Sequence, residues 1–368
     1  MNSLLNILFI TAFPPNQKTA GQDYSRRLLD DLASRGHKIS LIYAEYPSHE
    51  VELSPQIEVL AKITPSLKNC KNLPLLNPFF TKRFDKNILS LIQKIASDFD
   101  MLYFDFSQVH VYSLFVEHQN KVLMCHDVIF QKFTRKNRIF LPWIKFTEKK
   151  ILKSAGKILT ACKKDSELLK NQYNLESIFV NQYLKNGKFD YKLLNSSILN
   201  NTFCFYGAWN RTENSECLEW FLKNVSKKVN PSLKFVVIGG GMSENLQKKL
   251  ENYKNFSYLG FVENPIVEVA KCQALIAPLS KGAGVKVKVI DALSSGTKVI
   301  GTDVAFEGIE DNLKNPLFVK ICSPQKKDSV LQICKILNNW QNIEINQKQL
   351  SATEFFERYN KNHFADRI

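Results

Sequence analysis

Short unbroken apolar runs alternate along the chain with longer stretches of helical period. Residues 6–12, NILFITA, are apolar without a two-residue alternation, as expected of a strand covered on both faces of a parallel sheet. The loop FPPNQKTAGQ follows, and then DYSRRLLDDLASRG, in which Tyr24, Leu28 and Leu32 share one helical face and Gly36 supplies the stop. KISLIYAE is the next strand, so the chain opens as a Rossmann-like βαβ unit. Residues 82–97 read as an amphipathic helix, with Ile88, Leu91, Ile92 and Ile95 in register. MLYFDF, KVLMC and KILTA are further strands, and the Asn- and Ser-rich residues 177–201 read as a linker. The pattern then repeats. TFCFYG precedes a helix carrying Leu218, Phe221, Leu222 and Val225, and KFVVIGGG, FSYLGF, ALIAPL, KVIGT and LFVKI continue a second parallel sheet. The last stretch, residues 351–368, reads as helix.

A length of 368 residues suits two domains, and 44% hydrophobic content is enough for two cores. The formal charge of +15 implies an anionic partner, whether nucleic acid, acidic lipid or phosphorylated substrate. No RRM, KH or helix-turn-helix signature accompanies that charge, so nucleic acid is not expected. The eight cysteines include no CxxC and no metal spacing, which suits buried thiols in a reducing compartment. The opening run lacks a basic flank and leads into Pro14-Pro15, the pattern of a first strand rather than a signal peptide. No run has the length of a membrane span. The expected location is cytoplasmic.

Candidate chemistry concentrates in residues 277–310, APLSKGAGVKVKVIDALSSGTKVIGTDVAFEGIE. Gly282 and Gly284 lack a Cβ and let backbone approach a ligand, and the following helix would aim its free amides into that loop. Counting Gly284, Lys288 and Asp291 on one helical face gives an amide-rich loop, a cation and a carboxylate beside one site. A helix–strand unit with a tight entry turn and a surface Asp accounts for the same residues. His126-Asp127 follows KVLMC directly, at the carboxyl end of a parallel strand, where ligands bind. Asp98 and Asp100 have the spacing of a metal-binding pair, but their junction position fits two solvated loop acids better; no metal is expected. KFVVIGGG does not complete a dinucleotide fingerprint, since Glu244 stands where the last glycine would be, and Gly21 stands alone.

GAGVKVKVIDALSSGTKVIGT followed by EGI resembles the donor-site segment of family 4 type (group 1) retaining glycosyltransferases. The resemblance covers most of residues 5–43, patches of 100–170, and nearly all of 203–310. It implies an α/β protein of the GT-B fold, with two Rossmann-like βαβ domains facing a central cleft. The first would span residues 1–185, with a C-terminal crossover helix at about 352–368, and the second 202–350, binding the nucleotide sugar. Of the family's two motif glutamates, the second falls on Asp291 and the first on Ala283, which accepts no hydrogen bond. By the same resemblance the donor site comprises Gly21, Gly207, Arg211, Val262, Gly282, Gly284, Val285, Lys286, Lys288 and Asp291. Val262, Glu263 and Asn264 resemble the loop that meets the nucleobase, and Glu148 matches an acid of the first domain. The cation that relatives place five residues beyond Arg211 is Glu216 here, so Lys286 or Lys288 would take its charge. His126 and Asp127 would be catalytic.

The implied function is metal-independent hexosyl transfer with retention, from a UDP- or GDP-linked donor to a glycan or lipid-linked acceptor, without a further cofactor, in cell-surface polysaccharide or glycoconjugate synthesis. A non-catalytic nucleotide-sugar-binding subunit of the same fold is the alternative that Ala283 and Glu216 motivate. Residues 132–157 interleave Lys and Arg with Phe, Trp, Ile and Leu and suit the headgroup boundary of an anionic membrane, which would make the protein peripheral on the inner face of the cell membrane.

Overall fold

A computed structural model of the chain describes residues 4–17, 19–47, 49–134, 138–184, 189–194, 198–282, 284–309 and 316–368. It divides into two units, Met1–Tyr183 with Asn362–Ile368, and Leu184–Lys361.

The first unit is built on seven strands: β1 (Asn6–Thr11), β2 (Lys38–Ala44), β3 (Ile57–Ile63), β4 (Met101–Asp105), β5 (Lys121–Cys125), β6 (Lys157–Thr160) and β7 (Ile178–Phe179). All pair in parallel, in the order β3-β2-β1-β4-β5-β6-β7. Helices α1 (Ala20–Ser34), α2 (Pro78–Thr81), α3 (Lys86–Ile95), α4 (Ile129–Thr134), α5 (Leu141–Leu152) and α6 (Lys163–Tyr173) supply the connections. Continuous burial explains the unalternating runs: every residue of β4 is buried, and all of β1 beyond Asn6. Strand β3 escapes the sequence pattern because it lies at the sheet edge, with its interior residues exposed or half-buried. The chain order reverses between β1 and β4, which makes their carboxyl ends the switch point where ligands bind in open α/β sheets. Asp98 and Asp100 serve the start of the sheet. The Asp100 carboxylate accepts the Asn6 amide at 2.8 Å and the Asp98 carbonyl accepts the Asn6 side chain at 2.7 Å, fastening the start of β1.

The second unit repeats the design with β8 (Thr202–Tyr206), β9 (Lys234–Ile238), β10 (Phe256–Gly260), β11 (Ala274–Ala277), β12 (Lys298–Gly301) and β13 (Phe318–Lys320). The order is β10-β9-β8-β11-β12-β13, again parallel, with the switch point between β8 and β11. Its helices are α7 (Thr212–Asn224), α8 (Glu244–Glu251), α9 (Pro265–Lys271), α10 (Val287–Ser294), α11 (Ser329–Asn338) and α12 (Ile345–Tyr359).

Two boundaries differ from the sequence reading. The terminal helix α12 does not join the first unit, because Phe355 and Tyr359 are buried in the second unit's core with Val289 and Leu293. Only residues 362–368 belong to the first unit, where Arg35 donates to the Ala365 carbonyl at 2.8 Å and Phe364 packs on Tyr103. Within the expected linker, residues beyond Tyr183 join the second unit, where Phe189 packs with Ile266 and Ala270. The α12 helix is pinned by Lys348, a fully buried lysine whose ammonium donates to the Ala270 carbonyl at 2.7 Å, the Cys272 carbonyl and the Thr297 hydroxyl at 3.0 Å. Those carbonyls close α9, where a cation complements the helix dipole. Burial lowers the lysine's pKa to about 8.

Candidate functional site

In the second unit, two predicted positions, Gly207 and Lys288, are joined through Asn214 of α7. Gly207 ends β8 under the side chain of Asn214 on α7; a Cβ there would lie 2.7 Å from the amide nitrogen of Asn214. Asn214 donates to the Ala208 carbonyl at 2.9 Å and accepts from the Lys288 ammonium at 2.7 Å. The Lys288 pKa is lowered by burial, so this cation stands beside a neutral amide in a poorly solvated place, as an arriving anion would want it. Asn214 is a functional candidate that the sequence reading missed, since nothing local marks an asparagine 74 positions from its lysine.

The glycine loop differs from the sequence expectation in one respect. Gly284 is not on the helix face with Lys288 and Asp291, because α10 begins at Val287. Gly284 adopts φ +69° and Lys286 is extended, so both precede the first turn. The loop therefore lies ahead of the helix N-terminus, the end at which the helix dipole places partial positive charge. Lys286 folds back to donate to the Gly284 carbonyl and reaches Glu307 at 3.4 Å. Lys281, from the same loop, pairs with Glu216 of α7, its ammonium 2.7 Å from one carboxylate oxygen. Position 216, where the resemblance implies a cation, thus carries an acid that pairs with Lys281. Gly282 has φ +119°, and Ala283 lies outside the described residues, as does Glu310. Asp291 is buried in the second turn of α10, and the Ser294 hydroxyl donates to its carbonyl at 2.8 Å. Val285 and Val262 both pack against the core that holds Val289 and Phe306. Arg211 is exposed at the N-cap position of α7, and Asn264 takes the N-cap position of α9.

In the first unit, His126 follows β5 with its Nε2 2.7 Å from an oxygen of the Asp105 carboxylate. Asp105 ends β4 and is fully buried. Its other oxygen accepts the Ser25 hydroxyl of α1 at 2.5 Å and the Thr11 hydroxyl of β1 at 3.2 Å. Phe106 stacks on the imidazole at 3.9 Å between ring centres, and Tyr24 meets it edge-on at 4.7 Å. Gly21 sits in the first turn of α1, where a Cβ would touch the Phe106 ring at 3.0 Å. Here Gly21 makes room for the group that covers His126.

Asp127 and His126 part company. Asp127 pairs with Lys132 on α4 and has no share in the Asp105 cluster. Glu148 is likewise structural: its carboxylate accepts the Ile129 and Phe130 amides at 2.7 and 3.1 Å, capping α4, and the Tyr173 hydroxyl at 2.7 Å. Burial outweighs these bonds and pushes its pKa up to about 7.

The segment 132–157 is mixed. Ile144, Ile151 and Leu152 face the core, while Ile139, Phe140 and Phe146 are exposed, the first at 87%. Trp143 donates to the carbonyl of exposed Leu75 at 2.9 Å. Glu148, the one acid of the segment, is buried and does not offset the surface lysines. Arg135 and Lys136 lie outside the described residues, and the Arg138 side chain likewise. No helix among the described residues is long and apolar enough to cross a membrane.

Residues 200–339 match the family model described as glycosyl transferases group 1. An uncharacterized 44.6 kDa protein in the cps region of Klebsiella pneumoniae is 27% identical over 362 positions, covering 89% of this chain and 88% of that protein. Among solved structures, the chain resembles WaaG, a glycosyltransferase involved in lipopolysaccharide biosynthesis, with a TM-score of 0.60, 14% identity and coverage of 98% and 95%. It also resembles Anabaena HepE in complex with UDP and glucose (TM-score 0.62, 11% identity, coverage 99% and 96%). Staphylococcus aureus TarM, solved with UDP and Fondaparinux, gives a TM-score of 0.66 at 11% identity and 98% coverage of both chains. The two parallel sheets and these likenesses give the chain the GT-B fold, and over residues 200–339 it carries the sequence pattern of the group 1 glycosyl transferases.

Proposed function

We propose that the chain is a retaining glycosyltransferase that moves a hexose from a nucleotide-sugar donor to a glycan or lipid-linked acceptor in cell-surface polysaccharide synthesis. The observation that carries this reading is the phosphate-suited site of the second unit, where Lys288 and Asn214 stand beside the glycine loop that precedes α10; the first unit separately holds an oriented histidine. In the second unit, the amides of Gly284 and Val285 receive the diphosphate, and Lys288 and Arg211 balance its charge. As the glycosidic bond breaks, negative charge grows on the leaving diphosphate. Cations already in place stabilise it without reorganising, and no metal is needed for that role. Asp291 holds the ribose hydroxyls. His126 addresses the sugar. Retention follows from attack on the face the diphosphate leaves, which requires no protein nucleophile. HepE was solved with UDP and glucose, and TarM with UDP, which favours a UDP-linked donor with GDP as the other choice.

The deciding experiment is a thermal-shift screen of the full chain against UDP, GDP, ADP and dTDP, followed by donor turnover. Stabilisation by one nucleotide, with release of it from the matching nucleotide sugar, is the expected result; no shift with any of the four and no turnover would overturn the reading.

Asp291→Asn keeps the buried volume and removes the charge. Nucleotide binding should weaken by ~1.5–3 kcal/mol, the range for hydrogen bonds to charged groups. Calorimetry on the folded variant checks this, and an unchanged affinity excludes the ribose role.

The acceptor side brings in the membrane. Ile139, Phe140 and Phe146 stand exposed among lysines. Apolar side chains beside cations suit an anionic headgroup layer, where each cation contributes ~1 kcal/mol. Sedimentation with liposomes should show attachment that requires anionic lipid, falls with salt and weakens when Ile139, Phe140 and Phe146 become Ser. Equal binding to neutral vesicles, or none to either kind, argues against it.

A further inference from the structure

We infer that Asp105 is a positioning residue that commits Nε2 of His126 as a hydrogen-bond donor and so presents Nδ1 to the ligand. The inference rests on the functional reading of His126 given above, and on four structural observations independent of it. First, the carboxylate is fully buried, yet it receives three groups: His126 Nε2 at 2.7 Å, Ser25 Oγ at 2.5 Å and Thr11 Oγ1 at 3.2 Å. A buried carboxylate is costly unless hydrogen-bonded throughout, and a carboxylate accepts only. Nε2 must therefore carry the proton whether the ring is neutral or charged. Nδ1 is then an acceptor toward a ligand in the neutral ring and a second donor in the charged one.

Second, the arrangement is fixed by the sheet. Thr11 and Asp105 are register partners across β1 and β4, and Asp105 is the register partner of Met124 across β4 and β5, two residues before His126. Third, the ring cannot swing. Phe106 stacks on one face and Tyr24 closes from the edge. Fourth, Phe106 holds φ +70°, an unfavourable value for an aromatic residue. Such strain persists where the surroundings impose it, and it collects at functional sites. Here it turns the chain directly after Asp105 so that consecutive residues supply the carboxylate and the covering ring. Gly21 is the glycine that lets that ring in.

The test combines a spectrum and a cycle. In the full chain labelled with 15N-histidine, the His126 resonances, assigned with His126→Ala, should show protonated Nε2 and unprotonated Nδ1 in the neutral ring. In Asp105→Asn that preference should be lost. Turnover should fall tenfold or more in Asp105→Asn with KM for the donor nearly unchanged. In the His126→Ala background the same substitution should cost almost nothing, the non-additivity expected of residues that act through one another. Should Asp105→Asn not fold, Ser25→Ala loosens the same carboxylate and should lower kcat in the parent and not in His126→Ala. A parent spectrum showing protonated Nδ1, or a full additive loss in the double variant, overturns the inference. The spectrum needs neither donor nor turnover. If His126→Ala leaves catalysis intact, the role of His126 on the sugar fails while the tautomer assignment still stands or falls by itself.

Discussion

His126→Ala is expected to lower kcat by on the order of 10²–10³-fold, the scale seen when one preorganised polar group is removed from a transition state. Nucleotide affinity should stay nearly the same. The expectation follows from where the residue sits. His126 belongs to the first unit, whereas the glycine loop, Lys288 and Asp291 belong to the second. A group that meets the sugar alone contributes to the transition state and leaves nucleotide binding untouched, so the loss appears in kcat. The variant takes the partner from one oxygen of the buried Asp105 carboxylate and should lose some stability, while Ser25 and Thr11 still hold the other oxygen, so folding is verified by thermal melting before kinetics. Steady-state kinetics and calorimetry with the free nucleotide check both halves. A matching drop in nucleotide affinity would place His126 elsewhere.

Gly284→Val should abolish stabilisation by nucleotide. In the parent, a ligand at a hundredfold its Kd adds about 2.7 kcal/mol to the folded state. In the variant the gain should be near zero. Two effects act together. Valine at φ +69° is strained, so the loop must change its path, and the displaced amides no longer converge on the diphosphate. The added methyls also occupy space the phosphate would take. The loop precedes α10 and the core beneath is supplied by Val289, Leu293 and Phe306, so the melting temperature without nucleotide should move little. Thermal shift with UDP and GDP decides it. Parent-like stabilisation of the variant would mean that the phosphates bind elsewhere.

Much of the fold was legible because strands buried on both faces leave an unmistakable apolar run, as in β1, β5 and β11. Edge strand β3 was not, since half of its residues meet solvent and its pattern is that of many loops. The glycine loop and Lys288 were legible through local spacing. Their partners were not. Asn214 acts on a lysine far along the chain, and Asp105 ends a strand whose other members are all apolar, so it looks like a strand terminus. What gives Asp105 meaning is the parallel register with Thr11 and the reach of Ser25, neither of which is encoded nearby. Position picked out Asp127 and Glu148, and the structure gives each a partner that the sequence does not name, Lys132 for the one and the first amides of α4 for the other. The end of α12 was misplaced because helical period alone does not say which core a helix face joins.

Helix α12 has a consequence for how far the second unit can be treated as a module. Every residue of the motif lies before Glu310, so the motif alone defines a minimal fragment that ends at β13. Such a fragment would lack its keel. Gly296, in the turn that ends α10, lies so close to the Lys348 carbonyl that a side chain there would overlap it, and the Lys348 ammonium closes α9 from the other end. Helices α10 and α12 are thus assembled as one body. Recombination between relatives that exchanges the tail at residue 345 would separate Gly296 from the backbone it was fitted to, and the loss would be felt at the glycine loop although no motif residue had changed.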